Sequence, residues 1–202
     1  MIKQIEAYEP YNEQEERDKE IILSMLTEAE RMGEDIFSRE NRMAHMTASA
    51  WVVNRDRTKV LLAYHNIYNS WAWLGGHADG ERNLLSVAVR EVCEESGLTP
   101  AHVRPAWLIS QKGDLSQGSA GDIFSLEVLA VDGHFKKGEY ISSHLHLNVT
   151  YLLEADEEET LYKKEDENSS VKWFLPEEVL AASSEPWFAE HIYRKLNEKA
   201  GL

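Results

Sequence analysis

Glu91, Glu94 and Glu95 are the residues of this chain whose type and spacing could do chemistry. At about 100° per residue they fall on one face of a helix. Glu91 and Glu95 stand at i and i+4, a like-charge pair that costs roughly a few tenths of a kcal/mol on an exposed helix. The cost rises where water is partly excluded. Arg90 can offset part of it by pairing with Glu94, but one cation does not balance three acids. A divalent cation would. Hard carboxylate oxygens suit Mg²⁺ or Mn²⁺, which keep part of their shell for water and substrate phosphates. The competing reading of E-x-x-E-E is a solvated acidic helix face, the commoner fate of that spacing.

The surrounding elements must decide between the two. A strand ending in Trp71-Ala72-Trp73-Leu74 meets a Gly75-Gly76 break, then a loop with Asp79, Gly80 and Glu81. The helix that follows stops at Gly97, a natural residue just past a last helical turn, and Pro100 makes the stop firm. The face that carries the acids continues backwards into Leu84, Val87 and Ala88 and forwards to Leu98, so it looks at protein. Leu85, Val89 and Val92 form a second apolar stripe, which predicts a helix covered on two sides.

This stretch resembles the Nudix box, G-x5-E-x7-R-E-U-x-E-E-x-G-U with U apolar. The second half matches throughout: Arg90, Glu91, Val92, Cys93, Glu94, Glu95, Ser96, Gly97, Leu98. The first half departs from it. Counted from Gly76, Arg82 stands where the box has Glu, and the acid comes one place early, at Glu81. The resemblance implies an α/β fold, the Nudix-type α/β/α sandwich with a mixed β-sheet, and a loop-helix-loop that holds Mg²⁺ to cleave a diphosphate linked to another moiety. Carried over residue by residue, Glu91, Glu94, Glu95 and Glu81 are the metal ligands, Arg90 orients the glutamates, and Gly75 and Gly76 give the adjoining backbone its freedom. An acid a few residues before a Val-x-Trp-Phe strand also recurs in the family, and Glu167 or Asp166 matches it here. The implied activity is Mg²⁺-dependent hydrolysis of a nucleoside-diphosphate-X type substrate, a small molecule, with Glu91, Glu94 or Glu167 taking the proton of the attacking water. Two rivals share the fold: an isomerase of the isopentenyl diphosphate type, for which Cys93 inside the helix is poorly placed, and a non-catalytic binding module, which gains nothing from three crowded acids.

Composition narrows the partners. The 202-residue chain carries a formal net charge of −15, which argues against a nucleic acid polymer or an anionic membrane, since both call for a basic footprint. A single cysteine excludes an internal disulfide and fits a reducing compartment. The first residues do not read as a signal peptide and no apolar run is long enough to span a membrane, so the expected location is cytoplasmic.

The chain divides at residue 43 into an N-terminal helical extension, residues 1–43, and the catalytic domain, residues 44–202. Within the extension a helix from Asn12 to Gly33 carries Ile21, Ile22, Met25, Leu26, Ala29 and Met32 at helical spacing. That face must be buried against the domain or against a second copy in a homodimer. Arg39 and Arg42 follow it as candidate phosphate contacts, with solvated surface as the alternative. His45–Asn54 and Lys59–His65 read as a hairpin around Arg55-Asp56-Arg57, with His45 packed or capped. Val103–Lys112 and Asp122–Val131 read as strands around a glycine-rich segment, residues 113–121, that is either a specificity loop or an idle hairpin tip. His144–Glu154 is a strand on which His144, His146, Asn148 and Thr150 share one face. Without a third ligand the two histidines read as cleft lining or sheet surface. The acidic run from Ala155 to Glu159 reads as a solvated turn. A strand at Val171–Phe174, a helix opening at Pro176 and an amphipathic helix over residues 186–200 complete the chain. Tyr64, Tyr68, Trp71, Trp73 and Trp107 are available to stack on a base, though core packing accounts for most of them.

Overall fold

The computed structural model describes residues 1–67, 69–106, 121–136, 138–164 and 168–202. It has the mixed α/β architecture that the family resemblance implies. Helices α1 (Ile2–Ala7) and α2 (Glu13–Met32) precede strands β1 (Ala44–Asn54), β2 (Val60–His65), β3 (Ser70–Ala72) and β4 (Leu74–His77). Helix α3 (Leu84–Ser96) carries the acids. Strands β5 (Val103–Pro105), β6 (Ser125–Val131), β7 (His134–Lys136), β8 (Glu139–Ile141), β9 (His144–Ala155) and β10 (Asn168–Phe174) follow, then α4 (Pro176–Ala182) and a last helix, π-helical over Phe188–Tyr193 and continuing as α5 (Arg194–Ala200). Among the described residues, eight strands form one sheet in the order β10-β2-β1-β9-β5, with β3 on β2, β4 on β1 and β6 on β9. The small β7–β8 hairpin has no counterpart in the sequence reading.

Two compact units share these elements, and β1, β4, β9 and α3 each contribute to both. The first unit holds residues 1–48, 76–87 and 123–150. Asn12 caps α2 by accepting from the Glu15 N–H, and Gly33 ends it in the left-handed conformation. Ile22, Leu26 and Ala29 are buried as the periodicity predicts, but Ile21 and Met32 are exposed. Two bonds fix the helix against β6, Gln14 Nε2 to the Leu126 carbonyl at 3.2 Å and the Val128 N–H to Asp18 Oδ2 at 3.0 Å. Beneath it lies a buried polar network that the sequence did not announce. Glu15 accepts from Tyr8 and Ser125, and Glu127 accepts from Asn148 Nδ2 at 3.0 Å and Thr150 at 2.8 Å. Each acid is fully buried, which is tolerable only because its oxygens meet donors.

The second unit holds residues 49–75, 88–122 and 151–202. Its core stacks Trp51 on Tyr193, ring centroids 5.4 Å apart, with Trp73 edge-on to the same tyrosine. The β1–β2 hairpin forms as expected, with Val52 opposite Leu61. Its turn is tied down by Glu157, which accepts from Asn54 Nδ2 and Lys59 Nζ. The acidic run is therefore partly a clamp, not only a solvated turn. No helix among the described residues is long and apolar enough to cross a membrane.

Candidate active site and a histidine cluster

Helix α3 begins where Asn83 Oδ1 accepts from the Ser86 N–H at 3.2 Å, one of the free N–H groups of the first turn. Asp79 and Gly80, both at positive φ, make the sharp loop before it. The helix ends at Gly97, whose φ of 73° lies in the left-handed region. Along the way Leu84, Val87, Ala88 and Val92 are buried.

The three acids meet different surroundings, all within the second unit. Glu95 is buried, its side chain only 2% exposed. Its Oε2 accepts from the Gly75 N–H at 3.1 Å, and its Oε1 lies 3.9 Å from His65 Nε2. Its backbone carbonyl accepts from Asn168 Nδ2 at 2.9 Å. Glu91 is mostly covered, and its Oε1 pairs with Arg90 at 2.8 Å. Burial raises its pKa, and the Arg90 guanidinium only partly offsets that. Glu94 is exposed and takes Lys164 Nζ at 3.0 Å and Arg90 Nε at 3.8 Å. Arg90 thus sits between Glu91 and Glu94, and lysine and arginine stand where a divalent cation would neutralise the same oxygens. Carboxylate oxygens suit a hard ion by type, but among the described residues these three acids do not form a group with donor atoms close enough together to hold one.

Gly75 and Gly76 do not break a strand. They lie inside β4, at ordinary φ, and the chain interrupts at Trp73 instead. The reason is tertiary: β4 pairs with β1, and the Gly75 N–H is spent on Glu95. Glu81, in the first unit, is exposed and accepts from the Asn83 N–H at 2.7 Å. Arg82, in the place where the family carries Glu, bonds Asp35 at 2.9 Å and lies over the Phe37 ring. Arg39 forks onto Asp79, Nε to Oδ1 at 2.6 Å, a bidentate geometry that suits carboxylate and phosphate alike. Arg42 is exposed. Glu167, Asp166, Tyr68, Trp107 and residues 113–120 lie outside the described residues. Lys164, His65 and Asn168 were not singled out by sequence. Nothing in their spacing marks them, because each reaches the acids from a distant strand or its flank.

In the first unit the third ligand missing from the sequence reading is present. His45, His144 and His146 place one donor atom each within 4.8 Å of the others. His45 is buried against the rings of His144, His146 and His77, each centroid 5.0 Å away. Burial keeps His45 and His146 neutral, lowering the pKa of both, that of His146 to about 2.

A NUDIX domain family model matches residues 43–196 of the chain. Among solved structures, the chain is similar to an Ap4A hydrolase from C. elegans at 16% identity, with 76% of this chain and 93% of that one covered and a TM-score of 0.50. It is also similar to a MutT protein from Methanosarcina mazei Go1 at 14% identity, covering 78% and 96%, with the same TM-score. At such identities the likeness is one of fold. No curated protein matches the chain.

Proposed function

The chain belongs to the Nudix family and is a pyrophosphohydrolase of the Nudix type, and we propose that it cleaves a nucleoside-diphosphate-X substrate with Mg²⁺ or Mn²⁺ held by Glu91, Glu94 and Glu95. One observation carries this reading. Arg90–Ser96 of the box lie on a single helix, on which Arg90 clamps Glu91 while Glu95 is anchored to the Gly75 N–H.

A bound divalent ion supplies charge neutralisation for the phosphate oxygens and a lower pKa for an attacking water. The protein's own residues prepare that role. Arg90 fixes the Glu91 carboxylate through a charge-assisted bond. The Gly75 N–H holds Glu95 through a hydrogen bond, so its position is set before any ligand arrives. Glu94, exposed and bound to Lys164, is the acid open to exchange a partner. In this proposal the proton leaving water goes to one of Glu91, Glu94 and Glu95 or to an outlying acid such as Glu167. We read residues 44–202 as the catalytic domain and residues 1–43 as its extension.

The test is phosphate release with Mg²⁺ across a panel of diphosphate-linked nucleotides, with Glu94→Gln as the control. Turnover of one class, lost in the variant while the fold persists, is the expected result. A Glu94→Gln protein with full activity would refute the assignment.

A further inference from the structure

The histidine cluster draws on no residue of α3. His45 comes from β1, and His144 and His146 from one face of β9. The Nε2 atoms of His144 and His146 are 3.2 Å apart. Two nitrogens on one tetrahedral ion, each at about 2.0–2.1 Å, stand roughly 3.3 Å from each other. The observed separation suits two ligands of one metal, as it also suits an N–H···N hydrogen bond between the rings.

The hydrogen bonds fix the tautomers the same way. His45 Nδ1 lies 2.9 Å from the Asn41 carbonyl, and His144 Nδ1 lies 2.8 Å from the Ser142 carbonyl. A carbonyl only accepts, so each Nδ1 carries the ring proton and donates it. In the neutral ring Nε2 then holds a lone pair. A ligating histidine commonly orients itself through a bond of this kind. Among the described residues His45 Nε2 has no hydrogen-bond partner, in a residue only 3% exposed. A lone pair left unmet inside a protein needs an explanation. A metal-free network explains less of this: His146 Nε2–H can donate to His144, but His45 Nε2 stays unmet.

We propose that His45, His144 and His146 form a three-histidine transition-metal site fitted to Zn²⁺, beside the ring of His77 on β4, 5.0 Å from those of His45 and His146. Neutral imidazole nitrogens suit zinc and other borderline ions, whereas Mg²⁺ seeks oxygen. Three protein ligands leave a fourth position for water or a substrate atom, the arrangement of zinc sites that do chemistry.

The experiment uses the full chain without an affinity tag, loaded with Zn²⁺ and dialysed against metal-free buffer containing Mg²⁺. Zinc per chain is then measured by mass spectrometry for the wild type, His144→Gln, His146→Gln and Glu94→Gln, with circular dichroism to check each fold. One zinc per chain is expected in the wild type and Glu94→Gln, and none in the histidine variants. Loading the wild type with Co²⁺ should give the intense visible bands of a low-coordinate nitrogen site, a readout that depends on no variant. A wild type that retains no zinc and shows no such bands overturns the proposal. So does zinc that survives in both folded histidine variants or disappears with Glu94→Gln. Mg²⁺-dependent turnover is scored separately, so either reading can fail alone.

Discussion

The backbone N–H of Gly75 donates to Oε2 of Glu95 at 3.1 Å, joining β4 to a carboxylate twenty residues further along the chain. The acid therefore has a structural partner as well as a place among the candidate ligands, and two substitutions separate those functions. Glu95→Gln keeps an acceptor for Gly75 and should unfold in urea close to wild type while losing Mg²⁺-dependent turnover. Glu95→Ala leaves that N–H unmet and should lose about 1–3 kcal/mol as well. Equal stability of the two variants would count against the anchoring role.

Lys164 occupies Glu94 with its ammonium. An ion arriving at Glu94 has to displace it, so Lys164→Ala should bind Mg²⁺ a few-fold more tightly by titration calorimetry. The size follows from the roughly 0.2–1 kcal/mol that an exposed pair contributes. Unchanged or weaker binding would mean that Lys164 does not compete for the acid.

Cys93 has its thiol pKa pushed up by burial and by the nearby Glu159 and Glu94 carboxylates. The thiolate is the reactive form, so less of it is present in the folded protein at a given pH than in the unfolded chain. Disulfide reagents should label native Cys93 slowly at pH 8 and speed up as pH rises, with the midpoint above that of the denatured protein. A midpoint below it would reopen a chemical role for the thiol, the feature an isomerase would require.

Gly97 sits at φ 73°, and a Cβ built there would lie 2.7 Å from Tyr162 Cβ. Strain and overlap act together, so Gly97→Ala should cost about 1–3 kcal/mol of stability in a denaturant titration. A variant as stable as wild type would show that the 162 segment gives way.

Local rules carried much of this protein. The helix stops at Gly33, Gly97 and Gly201 are legible because a left-handed C-terminal residue favours glycine wherever it falls. The periodicity of Leu84, Val87, Ala88 and Val92 placed α3, and the order Arg90, Glu91, Glu94, Glu95 indicated the family and its chemistry. Even there the local reading had limits. Gly75 and Gly76 read as a break but became strand, because pairing with β1 outweighs the freedom that glycine brings.

What the sequence could not state was which distant groups meet. Lys164 and Asn168 reach the acids of α3 from 70 and 73 positions away, and His65 approaches Glu95 from β2. His144 and His146 were visible as neighbours on one strand face, two residues apart. Their third partner lies about a hundred residues earlier, on β1, where alternation marks a buried strand and says nothing about what its histidine touches. Periodicity records which way a side chain faces. Only the pairing of strands decides what it faces.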